Sequence, residues 1–200
     1  MLDEKIIKNI LDNVKGETRG VVFKTDAEFI KEKMGEEGLE KLQNMANQLN
    51  IPIDYNGEAN ATKWYPLSLR VLSILLIQDV FEWDNEKIIE MGEAAPKYSF
   101  IVRTLLRYFI SFEKTFSEAS KYWKEHYSVG ELVVPDPSVV NDNYLVFPLK
   151  DFEVHPILCE YYKGYFLSIC RMIVKAENMV MKETKCMFKG DEYHEFKVTW

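Results

Sequence analysis

The fifteen residues from Leu67 to Phe81, LSLRVLSILLIQDVF, are apolar nearly all round. A helix without a polar face must be surrounded, either by protein or by lipid. Lipid is excluded here, because Arg70 and Asp79 interrupt the run and a span needs ~20 nearly uncharged residues. The segment therefore belongs in the middle of a fold large enough to cover it. A chain of 200 residues can bury such a core as one domain without disulfide help.

Helical spacing recurs on both sides of this segment. Ile6, Ile7, Ile10, Leu11 and Val14 repeat at helical intervals over Asp3 to Val14. Gly20-Val21-Val22-Phe23 reads as a short buried strand. Thr25 and Glu28 have capping-box spacing for a helix from Asp26 to about Met34. Gly35 and Gly38 punctuate it before a second helix from Leu39 to Leu49. Trp64-Tyr65-Pro66 opens the apolar helix, since proline is tolerated in a first turn. Asp84 is placed to cap a short helix to Met91, which Gly92 to Pro96 should break. Phe100 to Phe112 reads as a further apolar helix, with Arg103 and Arg107 four apart on one side, where they could hold a ligand's carboxylate or sit on a solvated face. Thr115 and Glu118 repeat the capping spacing before a helix to about His126.

The pattern then changes. Gly130 to Pro135 and Tyr144 to Leu149 read as strands, and Pro156 opens a long helix to about Ala176. Met179 to Phe188 and Tyr193 to Val198 read as two strands joined at Lys189-Gly190-Asp191. The expected fold class is α+β. A mainly helical part, residues 1–128, packs on a small antiparallel sheet with one long inserted helix, residues 129–200, in a single domain 1–200.

Charge narrows the partners. Lys+Arg 25 against Asp+Glu 32 leaves a net charge of −7, which argues against nucleic acid and anionic membrane surfaces. The charged start, MLDEKIIKNILDN, has no uncharged apolar stretch of the secretory kind, so a cytoplasmic address is expected. No Walker loop, G-x-G-x-x-G, G-x-S-x-G, H-E-x-x-H or EF-hand pattern occurs. A non-enzymatic role is the expectation.

One group of residues has the chemistry of a metal site. Cys159 lies in the first turn of the helix that Pro156 opens, Glu183 and Cys186 on the next strand, and His194 on the last. A three-residue hairpin loop with Gly190 in the left-handed region would set Cys186 opposite His194, with Cβ atoms ~5 Å apart. Glu183, three residues from Cys186, needs a bulge to reach the same face. Two thiolates, an imidazole and a carboxylate suit tetrahedral zinc in a closed, structural role. The plain alternative is that Cys159 and Cys186 fill core. Cys170, about 16 Å along the helix from Cys159, cannot share the ion and is expected in the core. His155 should be a cap or loop residue.

The stretch His155-Pro156-x-x-Cys159, Gly164-Tyr165, Glu183-Thr184-x-Cys186-x-x-x-Gly190-Asp191-x-x-His194-x-Phe196 resembles the end of a 4-vinyl reductase type domain. Gly20 to Phe23, Phe29-Ile30 with Gly35, Trp64-Tyr65-Pro66 and Trp123-x4-Tyr127-x2-Gly130 are similar to an uncharacterised bacterial paralogous family of that superfamily. The resemblance covers nearly the whole chain. It implies a zinc site at Cys159, Glu183 and Cys186, with His194 standing where the fourth ligand is normally Cys. The superfamily also holds haem nitric-oxide-binding sensor domains and lipid-binding subunits of a vesicle-tethering complex. All share helices packed on a small sheet with a pocket between. Haem needs an axial ligand, and His126 is the one histidine in the helical part. The Tyr-x-Ser-x-Arg motif that holds haem propionates in the nitric-oxide sensors is absent.

Trp64, Tyr65, Tyr108, Phe109, Tyr122 and Trp123 could line an apolar pocket for an aromatic small molecule, or could be core packing. The leading expectation is a zinc-stabilised small-molecule-binding or sensor domain, acting through a homodimer or a signalling partner. The alternatives are a protein-interaction module without small ligand and a haem-based gas sensor.

Overall fold

The computed structural model describes residues 2–57, 60–99, 118–133, 143–174 and 176–200. Helix α1 (Glu4–Asn13) is capped by Asp3, whose side chain accepts from the Ile6 amide. It buries Ile7 and Ile10 and leaves Ile6 and Leu11 exposed. Strand β1 (Glu17–Arg19) pairs antiparallel with β2 (Trp64–Pro66), forming a two-stranded sheet. Between them runs α2 (Val21–Gln48).

Three expectations are corrected in this part. Val21-Val22-Phe23 is the first turn of α2 rather than a strand, because three apolar residues bury equally well on a helix end. Trp64-Tyr65-Pro66 is β2, and the apolar helix α3 (Leu67–Phe81) starts immediately after it. The capping box is also absent: Thr25 is buried in the helix and its hydroxyl donates to the Val22 carbonyl. The two-helix reading of 26–49 is right about the break. Gly35 has φ of +72°, a non-helical joint within α2 that glycine adopts without steric cost.

Asp84 does cap α4 (Asn85–Tyr98), accepting from the Lys87 amide. The helix continues through Gly92 and Pro96 instead of ending at Met91. The reason is tertiary. At Gly92 a Cβ would strike the Tyr161 carbonyl, and at Gly164 a Cβ would strike the Ile89 carbonyl. These glycines let α4 lie directly on the long helix α6 (Pro156–Ile173), its most extensive packing partner. The expected helix over 100–112, with Arg103 and Arg107, lies outside the described residues. Helix α5 (Ala119–His126) follows.

The sheet half carries β3 (Glu131–Leu132), β4 (Tyr144–Lys150), β5 (Val180–Lys185) and β6 (His194–Thr199), in the antiparallel order β3-β4-β6-β5. The alternating pattern sends Leu145, Phe147 and Leu149 of β4 inward beside Val198, Phe196 and His194 of β6. Helix α6 covers this face, with Phe166 stacked on Phe147 at 5.2 Å and tilted on Phe196 at 5.3 Å. It is buried toward both α4 and the sheet. The fold is α+β. Among the described residues no helix is long and apolar enough to cross a membrane.

Candidate functional site

Two groups of buried polar side chains stand out. The first lies where α6 meets the sheet. His155 caps α6 through its Nδ1, which accepts from the Ile157 amide at 3.1 Å, and Cys159 follows one turn on. The β5–β6 connection is a 3-10 turn (Met187–Lys189) ending at Gly190 with φ of +94°, the left-handed glycine expected from the sequence. The register shifts between Glu183 and Lys185, which is the bulge that Glu183 needed. His194 occupies an inward position on β6 and is 1% exposed.

These placements bring Cys159, Glu183, Cys186 and His194 together, with ligand-type atoms all within 4.8 Å of one another. His194 Nδ1 lies 3.0 Å from Glu183 Oε1 and 3.7 Å from Cys159 Sγ. Its Nε2 donates to the Phe152 carbonyl at 3.3 Å. Burial alone would raise the Glu183 carboxyl, but hydrogen bonds from His194, Cys159 and Cys186 outweigh it and hold the group below its ordinary value. Burial and the Glu183 charge push the Cys159 thiol well up, and burial raises Cys186 as well. The arrangement is a carboxylate surrounded by proton donors. Cys170 is fully buried in the core.

The second group lies in the helical half and escaped the sequence reading. Arg70 and Asp26, both essentially unexposed, form an ion pair from α3 to α2. Ser73 also donates to Asp26 at 2.7 Å, and Tyr55 donates to Ser73 at 3.0 Å. The Arg70 guanidinium stacks on the Tyr161 ring, its Cζ 4.4 Å from the centroid. Burial opposes the Arg70 charge, but Asp26 more than offsets this and keeps it protonated; burial raises the Asp26 carboxyl despite its partner. The signal in the sequence is a charged residue, Arg70, inside a helix that is apolar nearly all round.

Of the six residues expected to line a pocket, Trp64, Tyr65, Tyr122 and Trp123 are among the described residues. Trp64 lies under the Arg19 guanidinium, 3.8 Å from ring centroid to Cζ, and the Tyr65 hydroxyl accepts from the Asn60 amide. Trp123 is a core residue: its indole donates to the Val129 carbonyl at 2.9 Å, and its ring packs on Tyr127, Phe152 and Tyr162. Tyr122 is half-buried on α5, its hydroxyl pushed up to about 12 by burial and by Glu125 and Glu118. Tyr108 and Phe109 lie outside the described residues.

Comparison with solved structures defines the class of fold. The chain has the fold of H-NOX proteins. An H-NOX protein from S. oneidensis in its Fe(II)NO state is similar at a TM-score of 0.66 and 9% identity, over 90% of this chain and 97% of that one. An unliganded Fe(II) H-NOX protein from K. algicida gives 0.59 and 11%, over 90% and 95%. A structure described for haem redox potential modulated by porphyrin distortion gives 0.60 and 11%, over 91% and 99%. No protein-family model matches the chain, and no curated protein matches it in sequence. The likeness supports the haem nitric-oxide-binding side of the sequence resemblance, as a fold.

The expectation of structural zinc is corrected here. Structures that share this fold are described with haem iron, not with a zinc clamp on the sheet. The convergence of Cys159, Glu183, Cys186 and His194 has a sufficient account in hydrogen bonding, with protonated thiols serving the Glu183 carboxylate.

Proposed function

We propose that this chain is a non-enzymatic sensor domain that receives a small ligand within the H-NOX fold and reports it to a partner protein. The observation that supports this most is the match over nine-tenths of the chain to an H-NOX protein described with NO on Fe(II).

Haem is the group this reading brings first, and the donor set offers one place for it. His155 is used as a helix cap and His194 has both ring nitrogens engaged. His126 differs: Nδ1 donates to the Tyr122 carbonyl at 3.0 Å, which leaves the Nε2 lone pair for a metal. Burial lowers its pKa, so the imidazole is neutral at pH 7, the form that ligates iron. His126 is therefore the residue that would hold the iron, and haem would supply a centre that takes up a diatomic gas.

The test is titration of the purified chain with hemin, following the Soret band. One equivalent should bind with a shifted band, and His126→Ala should abolish the shift. No shift in the wild-type chain, or the same shift in His126→Ala, would overturn the haem reading.

A further inference from the structure

Arg70 uses only part of its hydrogen-bonding capacity. Nη1 is taken by Asp26, while Nε and Nη2 are buried and make no hydrogen bond. Those two nitrogens form one edge of the planar guanidinium. Their N–H bonds are parallel and match the two oxygens of a carboxylate, the bidentate geometry for which arginine is suited. Buried N–H groups of a cation are almost always paired, so an open fork in the interior points to an acceptor that comes from outside the chain.

The surroundings define what kind. The Tyr161 ring covers one face of the guanidinium. Tyr127 and Tyr161 are near enough to act on the Arg70 charge, and the buried Tyr162 feels it in turn. Aromatic rings with hydroxyl tips fit a conjugated body with a polar end. Asp26 balances Arg70, so a carboxylate would bring one uncompensated negative charge. Ser73 already shares the load at Asp26, and the Nε–Nη2 edge of Arg70 is the cation edge left to meet that charge.

We infer that the Nε–Nη2 edge of Arg70 is the receptor for the carboxylate of an aromatic or conjugated ligand bound in the helical half. The inference rests on the sensor reading above. The carboxylate has two sources, a porphyrin propionate or a free aromatic acid. The first would answer the missing Tyr-x-Ser-x-Arg motif, with Arg70 on α3 holding a propionate instead.

The experiment uses the full chain and two matched pairs of probes. Naphthoate is compared with naphthamide, and iron-free protoporphyrin IX with its dimethyl ester, by calorimetry and by the NMR signal of the Arg70 Nε–H. The carboxylate member of at least one pair should bind about tenfold tighter, the range of a charge-assisted hydrogen bond, and should shift the Arg70 signal. Arg70→Lys keeps the charge and loses the fork, so the preference should vanish. If that variant does not fold, the wild-type affinities and the Nε–H signal decide alone. A preference confined to naphthoate assigns a free acid, and one confined to protoporphyrin assigns a propionate. Equal binding within both pairs, or a preference undiminished in Arg70→Lys, would overturn the inference. It would leave the haem reading standing on its own hemin titration, which depends on His126 and not on Arg70.

Discussion

Arg70 and Asp26 stand 44 residues apart in sequence and meet as an ion pair with essentially no exposure to solvent. The pair joins α3 to α2 in the centre of the helical half. Removing one partner leaves the other charge buried alone, which is far worse than removing both. Asp26→Asn should therefore destabilise by about 3–5 kcal/mol. The double variant Asp26→Asn/Arg70→Met should recover most of that loss. Urea unfolding of the three proteins tests it; equal losses in the single and double variants would show that the pair is not coupled.

The α4–α6 contact depends on two glycines that admit no side chain. A Cβ on Gly92 or Gly164 would meet the carbonyl of the facing helix, and backbone cannot swing aside as a side chain can. Gly92→Ala and Gly164→Ala should each cost about 1–3 kcal/mol, although alanine is the better helix former. A stabilised variant in denaturant titration would refute the close crossing.

His155 makes α6 sensitive to pH. Its Nδ1 accepts from Ile157 only while unprotonated, and burial lowers its pKa below the ordinary 6.5. A histidine depressed in the folded state contributes stability that is present above 6.5 and lost as pH falls through the folded value. The cap is worth about 0.5–2 kcal/mol. Thermal midpoints should fall as pH drops below 6.5, and His155→Asp, which still caps, should flatten that part of the profile. An unchanged slope in the variant would count against the cap.

The thiols should be inert in the folded chain. Burial raises Cys159, Cys170 and Cys186 above their ordinary value, and the thiolate is the reactive form. A disulfide reagent at pH 8 should titrate almost none of the three in native protein and all three in denaturant. Fast reaction of Cys159 in the native state would contradict the closed cluster around Glu183.

The four side chains at the sheet end show how far a sequence can be read. Strand alternation puts His194 inward, the glycine at 190 sets the hairpin, and the need for a bulge at Glu183 follows from its spacing to Cys186. All of these are local, so they can be read from a few neighbouring residues. What the cluster holds is not local: the zinc expectation came from residue types, their spacing and a resemblance, and thiols and a carboxylate that attract an ion also satisfy one another.

The sequence by itself determined the α+β class, the central place of Leu67–Phe81, the cap at Asp84 and the alternating strands, because each is written in short-range patterns, above all periods of two or 3.6 residues. Tertiary structure decided the rest. Val21-Val22-Phe23 became helix because its apolar side chains found a core on that geometry. Gly92 stayed within α4 because α6 needed its bare backbone. Arg70 became a buried cation with an open edge because α2 delivers Asp26 to only one of its nitrogens. Each of those outcomes depends on which distant segment arrives alongside, and no local pattern carries that information.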